Sequence, residues 1–228
     1  RKKNNMESEF VKEIQQLQSF HALSQTPKLL NVYRTLFGCE VFPHPRNIAR
    51  VAVPHPELLA TPSHQDYTYI QGENNTWTCW LPLGDTPRQL GGIAVLKGSH
   101  REGLLGMYTP QGGYAKSGSI LCGLDYDWLT VDYKAGDFVT FHSLTVHKAM
   151  PNEIPGKIRL SCDYRYQPAK EPILIEKASL LPHMAADYGW EDVYQGWTNE
   201  DLKYYWKKYQ FEFSPYDKSL FDPKLKIC

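Results

Sequence analysis

Period-two alternation of apolar and polar positions fills the middle of the chain, and helical spacing marks its start. Phe10, Ile14, Leu17 and Phe20 recur at helical intervals with charged residues between them, which predicts one amphipathic helix from Met6 to Leu23. A second helix is predicted from Pro27 to Phe37, with proline in its first turn and Gly38 as its stop. Neither helix carries nameable chemistry, so both are assigned to core packing. From Ile48 the texture changes to short β-branched and aromatic runs. The predicted strands are Ile48–Val53, Ser63–Ile70, Thr76–Leu81, Gly91–Leu96, Leu129–Tyr133, Phe138–Phe141, Leu144–His147 and Lys157–Tyr166. A proline-rich connector spans Pro54 to Pro62, and Lys134–Asp137 is a predicted turn. Many short strands separated by turn residues predict a β-sandwich or barrel. After Pro168 the alternation is lost. Asn199–Phe213 is predicted to form a short amphipathic helix capped by Thr198 or Asn199, and the tail to Cys228 is expected to pack outside the barrel.

Composition narrows this picture only a little. At 228 residues the chain suits a single domain, divided here into a helical part at 1–45, a β core at 46–167 and an extension at 168–228. Lys+Arg and Asp+Glu both number 25, so no broad field of either sign points to nucleic acid or an anionic membrane. The five cysteines, at 39, 79, 122, 162 and 228, show no metal-type spacing and are expected to be reduced thiols. With no apolar run near 18 residues and no leader-like start, the expected setting is cytoplasmic, with no membrane partner. The chain starts at Arg1 without an initiator methionine, and a longer parent protein is expected.

The candidate chemistry lies in Ser63-His-Gln-Asp66. On a strand, His64 and Asp66 would share one face. One imidazole and one carboxylate make a mixed ligand pair suited to divalent iron, and a second histidine would complete a two-His, one-carboxylate site with open positions. A bare His-x-Asp pair is weak by itself, and its context gives it weight. His21 and His183 lie in the terminal segments, His44 and His55 beside prolines, and His100 in a turn. That leaves His142 and His147. His147 is favoured because Pro151–Gly156 makes a hairpin whose return strand would bring Arg159 beside it; His142 is read as a packing or supporting histidine. Arg159 suits the far carboxylate of a dicarboxylic 2-oxoacid chelated to the metal, because its planar fork donates two parallel bonds. Ser161, on the same predicted face, would add a hydroxyl.

These residues, with Trp80, Gln89-Leu-Gly-Gly92, Leu96-Lys-Gly-Ser-His-Arg101, Ala135-Gly-Asp-Phe138 and His142-Ser-Leu-Thr-Val-His147, resemble the phytanoyl-CoA dioxygenase family of iron(II)/2-oxoglutarate-dependent oxygenases over roughly residues 46 to 167. The resemblance implies a mainly β fold, a double-stranded β-helix or jelly-roll barrel with flanking helices. It implies His64, Asp66 and His147 as iron ligands and Arg159 as the partner of the distal carboxylate. Trp80 would line the cosubstrate pocket, a core aromatic being the other reading. Cofactors would be iron(II), 2-oxoglutarate and dioxygen, with ascorbate as reductant, acting on a small-molecule substrate. Some members carry a hydroxyl residue two positions after the distal histidine, where Ala149 stands here. Related halogenases lack the carboxylate, so Asp66 favours hydroxylation. Tyr67, Tyr69, Arg101 and Tyr108 are candidate substrate-wall residues. A non-catalytic jelly-roll binding module and a cupin-type metalloenzyme without 2-oxoacid are the alternatives.

Overall fold

The computed structural model describes residues 10–54, 60–106, 126–174, 177–183 and 188–221. Tyr108, His55, Cys122 and Cys228 lie outside the described residues. The chain opens with α1 (10–16), α2 (Gln18–Ser24) and α3 (Pro27–Phe37). The single helix expected from Met6 to Leu23 is therefore divided. Leu17 is extended, with φ −73° and ψ 115°, so the helix restarts at Gln18 in a new direction. The break rotates the apolar stripe: Ile14 and Phe20 enter the core, while Phe10 and Leu17 face solvent. The second helix keeps its expected bounds, with Pro27 at its start and Gly38 in the left-handed region at φ 67°.

The body is antiparallel β. A five-stranded sheet runs β1 (Val41–Pro43), β8 (Arg159–Pro168), β3 (Trp77–Pro82), β6 (Val139–His142), with β2 (Ile48–Ala52) also paired to β8. A three-stranded sheet runs β5 (Trp128–Leu129), β4 (Ile93–Leu96), β7 (His147–Ala149). This is the mainly β, jelly-roll-type architecture expected, with these two sheets and a two-stranded pair of Ile173–Leu174 with Phe213–Ser214 rather than one closed wall among the described residues. β1 precedes the boundary drawn at residue 46, because Val41 to Pro43 pair with the far end of β8.

Directly opposed residues share a face. Trp80 opposes Asp163, Thr78 opposes Arg165, and Pro82 opposes Ser161, which puts these side chains on one inner face of the large sheet. The alternate residues Cys79, Cys162, Tyr164 and Tyr166 point outward and are sealed by the helices. Tyr33 of α3 stacks on Tyr166 with centroids 3.9 Å apart, and Tyr164 and Tyr166 donate to the carbonyls of Phe20 and Ser24. The helices are thus the outer cover of the sheet that carries the inner face. The extension forms its own aromatic core around Phe42, Trp190, Val193, Trp197 and Trp206. The helix expected over Asn199–Phe213 is instead two 3-10 turns, Glu200–Leu202 and Tyr205–Lys208, the first capped by Asn199. Aromatic burial over β1 overrides helical propensity there. Among the described residues no helix is long and apolar enough to cross a membrane, and Cys39, Cys79 and Cys162 are free thiols.

Two buried histidines make stability acid-sensitive. His21 Nε2 donates to the Gln15 carbonyl while its Nδ1 accepts from Asn47, and His44 Nε2 donates to Gln167 Oε1. Both rings are therefore neutral, and burial lowers each from the usual 6.5 to about 4. Each contributes stability that is complete above 6.5 and withdrawn as pH falls toward 4, on the order of 3 kcal/mol apiece. Urea midpoints measured from pH 7.5 down to pH 4 are expected to drop steeply below about pH 6.5. A midpoint that stays level to pH 5 contradicts this.

A candidate metal centre

His64 and His147 are brought together by backbone. Each amide donates to the other's carbonyl at 3.0 Å, an isolated antiparallel bridge that turns both rings to one side. The strand expected from Leu144 to His147 is a turn that ends there, and β7 begins at His147. β7 pairs with β4, not with β8. The expectation that Arg159 lies on the strand next to His147 is therefore incorrect; the two belong to facing sheets. The expected strand Ser63–Ile70 is also absent. After His64 the chain turns, Asp66 adopts helical angles and α4 (Tyr67–Ile70) follows. Gln65, wholly buried, fixes that turn: its amide donates to the carbonyls of Gly103 and Leu144 and accepts from the Leu105 amide. The turn, not the pleat, aims Asp66 back at the two rings.

The three side chains are buried, and their donor atoms all lie within 4.8 Å of one another. Asp66 Oδ1 is 3.6 Å from His64 Nε2 and 3.8 Å from His147 Nε2. His64 Nδ1 donates to the Pro62 carbonyl and His147 Nδ1 to the Thr145 carbonyl, at 2.8 and 3.0 Å. Both Nε2 lone pairs are thereby left facing Asp66. Burial, then the neighbouring His64, lowers His147 to about 4, so its ring is neutral at pH 7. Burial alone would raise the Asp66 carboxyl, but Arg165 and the two imidazoles hold it well below the usual carboxylate range. Two imidazoles oriented by backbone hydrogen bonds at Nδ1 and an ionised carboxylate fit a divalent first-row metal.

Asp66 is also clamped from behind. Thr78 Oγ1 donates to Oδ2, and Arg165 Nη2 donates to Oδ1 at 3.2 Å. Neither partner was singled out from the sequence, although the signal was present. Arg165 is six residues beyond Arg159 on a period-two strand, and Thr78 is two before Trp80, so all four share the inner face. The same rule finds Asp163, which accepts from Arg50 at 2.8 Å.

Arg159, Ser161 and Trp80 come together as expected. Arg159 Nε donates to the Gly91 carbonyl and Nη1 to Ser161 Oγ, both at 2.7 Å, and its guanidinium carbon lies 5.6 Å from the Trp80 ring centre. Arg159 is 5% exposed, and its guanidinium meets no carboxylate at ion-pair distance among the described residues. Burial lowers it to about 10, which still leaves it charged at neutral pH. The Ser161 oxygen serves Arg159 itself. Trp80 packs in a core with Ile93, Tyr133 and Phe141, as the core-aromatic reading expects. Among the other candidates, the Tyr69 ring lies 5.8 Å from His64, Tyr67 follows Asp66 on α4, and Arg101 is exposed on the turn Ser99–Glu102. His142 packs against Trp77 on the outer side of β6, away from the cluster.

The sequence pattern of the family described as phytanoyl-CoA dioxygenase (PhyH) matches residues 1–159. The 1-deoxypentalenic acid 11-beta-hydroxylases of Streptomyces arenae and Streptomyces exfoliatus are 34% and 33% identical over 173 and 174 residues. Each alignment covers 71% of this chain, and the chain spans 61% of the length of these relatives. The epimerase SnoN from nogalamycin biosynthesis, solved with Fe3+, alpha ketoglutarate and nogalamycin RO, superposes with TM-score 0.55 at 23% identity, covering 72% of this chain and 66% of that one. The non-heme monooxygenase ThoJ gives TM-score 0.53 at 18% identity over 74% and 68%. These two structures share the fold.

Proposed function

This chain belongs to the phytanoyl-CoA dioxygenase family, and on that premise we propose that it is an iron(II)/2-oxoglutarate-dependent oxygenase that hydroxylates an unactivated C–H bond of a small organic molecule. The observation that carries this reading is the convergence of His64, Asp66 and His147, with a buried guanidinium, Arg159, on the same face of β8 as the Arg165 that contacts Asp66 and with no carboxylate partner among the described residues. His64 and His147 hold the iron through Nε2, and Asp66 through Oδ1. When bound, the iron with 2-oxoglutarate supplies the dioxygen chemistry. Arg159 receives the distal carboxylate of 2-oxoglutarate, with Ser161 and the Gly91 carbonyl holding the fork in place. Trp80 screens that carboxylate from the core. Phe141, whose ring centre lies 4.4 Å from that of His147, keeps water off the histidine. The names of the Streptomyces relatives support hydroxylation as the outcome, and the presence of Asp66 agrees with it. A buried arginine on the inner face of β8 with no acid partner among the described residues favours a 2-oxoacid enzyme over a cupin that uses none.

Incubating the protein with iron(II), ascorbate, dioxygen, 2-oxoglutarate and pooled metabolites tests this. One succinate and one carbon dioxide are expected per oxygenated product, and no 2-oxoglutarate-dependent succinate under any pool contradicts it.

Gly91 gives a second, local check. It sits at φ 82°, and an added Cβ would lie 2.7 Å from the Met150 carbonyl oxygen and 2.9 Å from the Asn152 nitrogen. Both are backbone atoms, so the turn at Gly91 must shift and take with it the carbonyl that anchors Arg159. Gly91→Ala is expected to lose about 1–3 kcal/mol of stability. It should also raise the KM for 2-oxoglutarate several-fold while metal affinity stays put. Unchanged KM in a destabilised variant means the carbonyl does not position the arginine.

A further inference from the structure

The inner face of β8 carries Arg159, Ser161, Asp163, Arg165 and Gln167, all buried. Arg159 serves one end of this row. At the other end three groups are incompletely used. Arg165 gives Nη2 to Asp66, but its buried Nε has no hydrogen-bond partner among the described residues. His183, in the extension, has a buried Nδ1 that is likewise unpartnered among them. Arg46, between β1 and β2, donates Nη1 to the carbonyls of Leu181 and Pro182, which holds the His183 segment against it, and it meets no carboxylate among the described residues. Burial, then the nearby Arg165, lowers the Arg46 guanidinium. Burial, then Arg50, Arg46 and Arg165, lowers His183 to about 3, so four cationic or basic side chains share one small region.

Among the described residues two acids neighbour this region, and both are engaged: Asp163 by Arg50 and Asp66 by Arg165. Arg46, Arg50, Arg159 and Arg165 thus outnumber Asp66 and Asp163. A divalent metal and a dianionic 2-oxoacid cancel each other, so the surplus of positive charge remains when both are bound. Arg159 and Arg165 are buried while Arg46 and Arg50 are partly so, and like charges and unpaired donors held out of water are costly unless something of opposite charge sits among them. A water would satisfy the Arg165 Nε but would not balance the charge.

We propose that Arg46, Arg165 and His183 form a subsite for the carboxylate of an organic-acid substrate, on the side of Asp66 away from Arg159. The subsite rests on the oxygenase reading above and names its substrate class. A carboxylate there accepts from Arg165 Nε and from the Arg46 fork, and from His183 with the proton on Nδ1. The substrate's apolar body then lies between this anchor and the metal centre.

Calorimetric titration of benzoate and of benzamide into the nickel(II)-loaded protein with saturating 2-oxoglutarate, without turnover, tests the subsite. Benzoate is expected to bind at least tenfold more tightly than the isosteric benzamide. Arg46→Met is expected to erase that preference while nickel(II) and 2-oxoglutarate affinities stay within twofold of the parent. His183→Phe is expected to reduce the preference several-fold and serves if the arginine variant does not fold. Equal binding of the two probes, absence of binding by either, or a preference that survives both substitutions overturns the subsite. The same comparison in metal-free Arg159→Met protein separates the two proposals. Acid preference retained there supports the subsite even if the metal or 2-oxoglutarate fails to bind the parent, and its loss there counts against the subsite alone.

Discussion

Asp66→Ala is expected to abolish metal binding and 2-oxoglutarate turnover and, in addition, to destabilise the metal-free protein by about 3–5 kcal/mol. The second effect follows from Arg165. Its guanidinium is buried against Asp66 Oδ1, and removing the carboxylate leaves a desolvated cation without a counter-ion. Thr78 loses its acceptor as well, which adds about 1 kcal/mol. An inactive single variant is therefore ambiguous between a lost ligand and a lost fold. The double variant Asp66→Ala/Arg165→Met removes both charges, and replacing a buried ion pair by apolar groups is often close to neutral. Its urea midpoint is expected to return near that of the parent while metal binding stays absent. A double variant that folds and still binds metal as the parent does removes Asp66 from the ligand set.

Arg159→Met is expected to produce the opposite pattern: stability kept, cosubstrate lost. Arg159 is buried and meets no acid at ion-pair distance among the described residues, so the apo protein gives up two hydrogen bonds but is relieved of an uncompensated charge. The change in unfolding free energy should lie within about 1 kcal/mol of zero. Truncating one side of a buried charge pair costs about 2–5 kcal/mol in binding, so the KM for 2-oxoglutarate should rise about 100-fold or more with metal affinity unchanged. A structural arginine would behave the other way round, with stability falling by several kcal/mol and KM moving little. Ser161→Ala, which removes only the hydroxyl that accepts from Nη1, should raise KM less than tenfold.

The parts of this site that were legible in the sequence are those set by period-two alternation along one strand. β8 lies close to its expected place, so Arg159 and Ser161 share a face, and Trp80 reaches them because β3 is paired in register with β8. The same alternation reaches Asp163 and Arg165. The route by which His64, Asp66 and His147 meet was not legible. It depends on a single bridge between two segments far apart in sequence and on a turn held by Gln65 through bonds to three distant backbone groups. Local propensity contains neither. The break at Leu17 and the 3-10 turns of the extension have the same origin. In each, the need to place aromatic and aliphatic side chains against β8 or β1 outweighs a local preference for continuous helix.

Anaerobic addition of iron(II) to the protein in the presence of 2-oxoglutarate, followed by visible absorption, tests the central claim most directly. A band that requires both components, saturates at one iron per chain and is missing from Asp66→Ala/Arg165→Met is the predicted result. No such band in the parent, or one of equal strength in the double variant, would contradict the assignment of His64, Asp66 and His147 as a single metal centre.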